Sequence, residues 1–267
     1  MSNIAFSPNV VNSYDWVGER TKTFTVQGAA AKTLCLLLVM ACTFSYTWIQ
    51  TTAGYGTAFT TADAAGKMPD QIDLPSNVIG LAVVGVLGAF VVAMFTIFVQ
   101  KAAPITAPIY AALEGLALGA ISAGFEAKYP GIVMEAMSGV IGTAAMMGLL
   151  YSSGILRPTQ GFIVGVLSAM FGILMLYLAD IIMQAFGCQP VALVHGNSMA
   201  AIAIQVVIVG VAALNLIIDF GTISEAAENR APKWYEWYAA FGLMLTIVWL
   251  YLEMLRLLAK LKSESDD

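Results

Sequence analysis

The stretch MAAIAIQVVIVGVAALNLIID, residues 199–219, decides the fold class of this chain. It is long and apolar enough to cross a membrane, since a spanning helix needs about 20 apolar residues. It ends at a carboxylate, Asp219, with Asn215 one helical turn earlier. An ionisable group at the bilayer centre costs about 2.5–3.5 kcal/mol on insertion scales and is usually functional. The stretch therefore predicts a transmembrane helix that ends in a candidate functional residue.

The composition of the whole chain is typical of an integral membrane protein. Of its 267 residues, 59% are hydrophobic and 11% are charged, whereas soluble domains carry about 25% charged residues. Long apolar runs without strand-like alternation favour helices over a β-barrel. Six further runs occur, at about 29–50, 77–99, 105–127, 132–151, 162–186 and 234–258. We therefore predict an all-α fold, a polytopic seven-transmembrane helical bundle.

The polar segments divide the chain into three parts. We expect a polar N-terminal tail at 1–27, the transmembrane domain at 28–262 and an acidic C-terminal tail at 263–267. Within the domain, the segment 51–75 is rich in Thr, Ala and Gly and predicts a flexible acidic loop. A second loop, 187–197, carries Cys188, Pro190 and His195, the single histidine of the sequence.

The distribution of Lys and Arg predicts the orientation of the bundle, because cytoplasmic loops are enriched in these residues. One set of segments, the N-terminal tail and the loops after the second, fourth and sixth runs, contains Arg20, Lys22, Lys32, Lys101, Arg157, Arg230 and Lys233. The opposite loops contain Lys67 and Lys128. This predicts a cytoplasmic N-terminus. Arg256, Lys260 and Lys262 lie at or just after the end of the seventh run. That run therefore either crosses the membrane completely, against the positive-inside rule, or enters the membrane and returns.

Small residues at helical spacing predict where helices pack closely. Gly115 and Gly119 form a GxxxG motif, which permits close backbone approach in lipid. A glycine-rich phosphate loop, a nucleophile elbow and zinc-ligand spacing are absent from the sequence. We therefore expect a protein that is not an enzyme and that uses neither a cofactor nor a nucleic-acid partner.

Acidic residues within the apolar runs are the candidate functional groups. They are Glu114, Glu135, Asp180, Asp219 and Glu253, with Glu236 at the entry to the last run. For Glu135, Asp180 and Glu236 we favour a role in helix packing or at the membrane interface. Asp219 and Glu253 lie on the last two, strongly apolar runs, and if they meet they share a proton. Such a pair acts either as a pH-sensitive latch or as a weak calcium site made of carboxylate oxygens.

The sequence resembles the Bax inhibitor-1 family, also called the transmembrane Bax inhibitor motif family, in its bacterial branch. The resemblance rests on ALEGLALGA at 112–120, LIIDF at 216–220, LYLEMLRLL at 250–258 and the opening FTVQGAAAKTLCLLLVMACTFSYTW at 24–48. It covers residues from about 24 to 262. The resemblance depends on the order of these motifs together with the count of seven apolar runs.

The resemblance implies six helices around a central seventh and a pH-dependent calcium leak through a bacterial inner membrane. Calcium ions and protons are then the partners of the protein, besides the lipid bilayer. The family's functional centre is a pair of acids, one ending the sixth helix and one on the seventh, which Asp219 and Glu253 match. The 34-residue separation also allows a shifted register that places Thr246 or Glu236 at the second position. Possible supporting residues are Asn215, Glu114, Asp180, Lys101 and Glu236, of which Lys101 lies near the family's gating basic residue.

Other function classes are also compatible with a small bundle of this kind. The main alternative is a regulatory membrane protein that binds a membrane protease or another membrane complex, with the acids in structural roles. An intramembrane protease uses paired carboxylates as acid and base, but its signature context is missing here. A proton-coupled transporter is disfavoured because the sequence shows no inverted repeat.

Overall fold

The structure is a computed structural model, and it describes residues 23–55, 76–187, 189, 191–196 and 198–265. Most of the predicted tail 1–27 and of the predicted acidic loop 51–75 lies outside the described residues, as do Cys188 and Pro190. The last two residues of the C-terminal tail lie outside them too.

Seven long helices account for most of the described residues. They are α1 Val26–Tyr55, α2 Ser76–Phe98, α3 Ala103–Lys128, α4 Ile132–Ser152, α5 Gln160–Ala185, α6 Met199–Glu228 and α7 Tyr235–Ser265. Each is long and apolar enough to cross a membrane. The 3₁₀ turn Gln100–Ala102 joins α2 to α3, and the one-turn helix Ala192–His195 lies between α5 and α6. The predicted all-α, seven-helix membrane bundle is confirmed.

Local sequence signals explain where several helices begin. The Thr159 side chain accepts a hydrogen bond from the backbone N–H of Phe162 at the start of α5. Ser198 does the same for the N–H of Ala201 at the start of α6. Such caps satisfy N–H groups that have no partner within the helix. Before α4, Gly131 adopts a left-handed φ of 85°, which glycine accepts without steric cost.

The sixth helix does not end where the apolar run ends. It continues nine residues beyond Asp219, to Glu228, so the polar segment 221–233 is largely helical. The reason is that Ile223 and Ala226 keep the helical spacing of buried positions and pack into the core. The expectation that Asp219 terminates this helix is therefore wrong.

The seventh helix is continuous over 31 residues. At 1.5 Å per residue it is about 46 Å long, which exceeds the roughly 30 Å hydrocarbon core of a bilayer. An uninterrupted helix cannot enter the membrane and return. Of the two alternatives for the last run, the structure supports a complete crossing of the membrane.

The core of the bundle lies around α7. This helix contacts α1, α3, α4 and α6, and Phe241, Met244, Leu250 and Leu255 on it are fully buried. In contrast, α2 and α5 expose rows of large apolar side chains, such as Phe90, of the kind that face lipid. The predicted central position of the last helix is confirmed.

The connections between helices define two ends of the bundle. At the first end, the chain entering α1 pairs with the α6–α7 connection, since the Phe24 N–H donates to the Ala231 carbonyl at 2.8 Å. At the second end, the α3–α4 and α5–α6 connections lie with the last turns of α7. There Lys262 Nζ lies 2.9 Å from Glu135 Oε1.

Candidate functional site

The Asp219 carboxylate lies at the interface between α6 and α7. It lies beside the Thr246 hydroxyl of α7. Asn215, one turn earlier on α6, donates from its Nδ2 to Thr246 Oγ1 at 2.9 Å. The side chains of Asn215 and Thr246 are both buried. These three residues form one polar cluster, here called the Asp219 cluster, in an otherwise apolar interface.

One oxygen of Asp219 has no partner in this cluster. Its Oδ2 is buried and accepts no hydrogen bond from any described residue. A buried polar atom without a partner costs about 1–3 kcal/mol, and more if it is charged. Native structures leave few such atoms, and each one calls for an explanation such as an ion, a water or a catalytic role.

Glu253 forms a second, separate cluster, and its side chain is almost completely buried. Four donors surround its two carboxylate oxygens, namely Tyr177 at 2.9 Å, Gln205 at 2.7 Å, Trp249 at 3.1 Å and Arg256 at 3.1 Å. They come from α5, α6 and α7. Because Arg256 supplies the opposite charge and every oxygen is satisfied, this carboxylate is held in place as an ion pair.

The expected pair of Asp219 with Glu253 is not formed, and that expectation is wrong. Helices α6 and α7 run antiparallel, with Asn215 opposite Thr246 and Gln205 opposite Glu253. Gln205 precedes Asp219 by fourteen residues, which is about 21 Å along a helix. The shifted register that places Thr246 opposite Asp219 is the one the structure contains.

Glu236 lies at the first end of the bundle, in a cluster of its own. Its fully buried carboxylate pairs with Lys32 and, at 2.7 Å, with Lys233. It also accepts hydrogen bonds from the backbone and hydroxyl of Thr25 at 2.8 and 3.0 Å. The structure places Glu236, which we expect at the membrane interface, in a buried ion-pair cluster that holds α1 against α7. Because Glu236 precedes Thr246 by ten residues, about 15 Å of helix, it does not face Asp219.

The remaining predicted supporting residues are dispersed. Asp180, near the end of α5, accepts from Gln184, from the Val191 backbone and from His195, so it fastens the α5–α6 connection at the second end. Glu114 lies beside Tyr110 on its own helix. Lys101 is exposed in the 3₁₀ turn at the first end. The structure brings Asn215, but none of these residues, into the Asp219 cluster.

Sequence reasoning missed the partners of Glu253. Gln205 carried a usable signal, because it is the only polar side chain between residues 199 and 214. Tyr177 and Trp249 carried none, since aromatic residues in apolar helices more often serve as packing. Arg256 was identified only as a charge that conflicted with the predicted orientation.

The carboxylates of the described residues do not gather into a metal site. Within that part of the chain, no group of three or more His, Cys, Asp or Glu side chains could hold a metal ion. A calcium site shared by Asp219 and Glu253 is excluded by their separation. Any cation at Asp219 would meet one carboxylate with Thr246 and Asn215, a donor set suited to brief occupancy rather than tight binding.

The family of this chain follows from its similarity to a known protein family. Neither the curated proteins nor the solved structures contain a significant match to this chain. A family model described as Bax inhibitor 1 like matches residues 5–263, which is nearly the whole sequence. This chain, a seven-helix membrane bundle with a central last helix, therefore belongs to the Bax inhibitor 1 like family.

Proposed function

We propose that this protein is a pH-sensitive, calcium-permeable leak channel of the Bax inhibitor-1 type, with Asp219 as the proton- and cation-sensitive group. The observation that carries the proposal is the buried, unpartnered oxygen of Asp219 at the interface between α6 and the central helix. Family membership supports it. The proposal includes the orientation predicted from Lys and Arg, with the N-terminus cytoplasmic in a bacterial inner membrane, and it includes no catalytic step.

The mechanism follows from the two protonation states of one carboxyl group. The neutral acid can remain in the packed α6–α7 interface, because it carries no charge and can donate its proton to a neighbour. The ionised form needs a compensating charge, since an isolated charge in an apolar interior is strongly unfavourable. A cation that enters supplies that charge and finds neutral oxygens on Thr246 and Asn215. The leak therefore increases as pH rises and Asp219 loses its proton.

In this proposal Glu253 has a structural role rather than a gating one. Its four donors and its ion pair with Arg256 leave neither oxygen free. The cluster fixes the position of α7 against α5 and α6, so that changes at Asp219 act on a defined interface. Glu253→Gln is accordingly expected to lower stability while leaving the direction of the pH response intact.

Calcium flux into proteoliposomes, measured over a series from acidic to mildly alkaline pH, tests this function. We expect the wild-type flux to rise with pH and Asp219→Asn to abolish that dependence, because asparagine does not ionise. Glu228→Gln is the matched control, since Glu228 is an exposed acid on the same helix, and it keeps the wild-type profile. Wild-type flux no greater than that of empty liposomes contradicts the proposal, and a stably co-purifying membrane protein then favours the regulatory alternative.

A further inference from the structure

A large open cleft lies at the second end of the bundle, between α3, α5, α7 and the α5–α6 connection. Its volume is about 900 Å³, which is in the range of small-molecule sites. The aromatic side chains of Phe125, Tyr129 and Tyr177 form part of its wall. The basic side chains that line it are Lys128, His195, Arg256 and Lys260.

The carboxylates in and beside this cleft already have hydrogen-bond or ion-pair partners within the chain. Asp180 is the only carboxylate among the described lining residues, and it accepts from His195 at 2.8 Å, Gln184 at 2.8 Å and the Val191 backbone at 2.9 Å. Glu253 lies next to the cleft and is paired with Arg256. The positive charges of Lys128 and Lys260 therefore have no carboxylate within ion-pair distance among the described residues.

Lys260 is the most informative of these residues. It is only 7% exposed, and its Nζ is buried with no hydrogen-bond partner in the described part of the chain. A buried ammonium without a direct partner is unfavourable, and the nearby carboxylate of Glu253 is already paired with Arg256. Lys260 follows Arg256 by one helical turn, so both side chains lie on the same face of α7. Arg256 uses one nitrogen for Glu253, and its guanidinium has further N–H donors available.

We propose that this cleft binds an anionic group of the phosphate type, with Lys260 and Arg256 as its principal contacts. A phosphate oxygen supplies the direct acceptor that Lys260 lacks and adds negative charge beyond that of Glu253, which is paired with Arg256. The arginine fork matches phosphate geometry. Lys128, at the end of α3, adds a third positive charge at the rim. The group belongs either to the headgroup of an anionic lipid or to a free phosphate. This binding is independent of a calcium leak.

Binding to the purified full-length protein in neutral detergent tests the site. The probes are inorganic phosphate, a short-chain phosphatidylglycerol and an uncharged monoacylglycerol, with affinity measured by calorimetry and by the shift in melting temperature. Lys260→Met keeps the length of the side chain and removes its charge. Lys262→Met is the matched control, because Lys262 is two residues away and contacts Glu135 outside the cleft. The melting curve of each variant without ligand shows whether the substitution itself lowers the stability of the protein.

We expect the wild-type protein to bind a phosphate-bearing probe, and Lys260→Met to weaken that binding by about tenfold or more, as the loss of one charge-assisted contact implies. Lys262→Met retains wild-type affinity. Binding of phosphatidylglycerol alone identifies a lipid headgroup, and binding of both probes identifies phosphate itself. Equal binding by the wild type and Lys260→Met, equal binding of the uncharged lipid, or no binding at all overturns the proposal.

Discussion

The buried carboxylate of Glu236 is stabilised by specific partners. Its carboxylate is fully buried, and Lys32, Lys233 and Thr25 supply its hydrogen bonds. Lys32 also lies over the ring of Trp237, 5.4 Å from its centroid. The Lys32 side chain is 17% exposed and that of Lys233 is 40% exposed. Lys32 is therefore the more strongly coupled of the two cations.

Lys32→Met is expected to destabilise the protein by about 3 kcal/mol, because it leaves a buried carboxylate with less compensation. Lys233→Met is the comparison variant and is expected to cost less, about 1 kcal/mol, since its ion pair is more exposed to solvent. Chemical unfolding in detergent, followed by tryptophan fluorescence, measures both. Equal losses for the two variants contradict the assignment of Lys32 as the main partner.

At the scale of elements, α1 and α3 pack closely against each other. Gly115 and Gly119 of the predicted GxxxG motif both face the backbone of α1. A Cβ atom at Gly119 would lie 2.6 Å from the Phe44 carbonyl oxygen, and one at Gly115 would overlap Thr43 and the Met40 carbonyl. The predicted close packing at this motif is confirmed. Because the obstacle at Gly119 is backbone, the contact cannot relax by rotating a side chain.

Gly119→Ala is expected to destabilise the protein by about 1–3 kcal/mol, the usual cost of overpacking a tight contact. Gly124→Ala on the same helix is the control, since no atom lies within 4 Å of a Cβ at that position. Alanine there should be neutral or stabilise the helix by up to about 1 kcal/mol. Melting curves of the two variants in detergent test the difference. A Gly119→Ala variant as stable as Gly124→Ala would refute the tight contact.

At the scale of the whole molecule, the protein is a bundle whose seven spans place the start of α1 and the end of α7 at opposite ends. The chain enters α1 beside the α6–α7 connection. The last turns of α7 lie beside the α3–α4 connection, where Lys262 contacts Glu135. With the proposed cytoplasmic N-terminus, the cationic cleft and the C-terminus face outward. The positive residues at the end of α7 then face outward despite the positive-inside rule, and Arg256 at least is neutralised by Glu253.

A pair of C-terminal reporter fusions tests this arrangement. Alkaline phosphatase fused after the last residue should be active and green fluorescent protein at the same point should be dark, because seven spans from the proposed cytoplasmic N-terminus lead to an extracytoplasmic C-terminus. Truncation after residue 231, before α7, should reverse both signals, since six spans return the chain to the cytoplasm. A fluorescent full-length fusion excludes either the complete crossing of α7 or the cytoplasmic N-terminus, and the truncated fusion shows which.

The sequence by itself determined the class of this protein and its parts. In a bilayer every backbone polar group needs an internal partner, so each long apolar run had to become a helix, and seven runs became seven helices. The tight GxxxG contact was predictable for a similar reason, since only small residues allow that approach. The acids in apolar segments could be identified as exceptional without any knowledge of their neighbours.

Only the tertiary structure decided which side chains meet. The apolar runs are hydrophobic on every face, so periodicity fixes neither the rotation nor the axial register of α6 against α7. Packing sets both, and it places Thr246 opposite Asp219 and Gln205 opposite Glu253. It also extends α6 beyond Asp219, through the burial of Ile223 and Ala226. Asp219 and Glu253, which the motifs predict as a pair, therefore belong to two separate sites. A well-packed helix pair has one axial register, and the sequence of either helix alone does not specify that register.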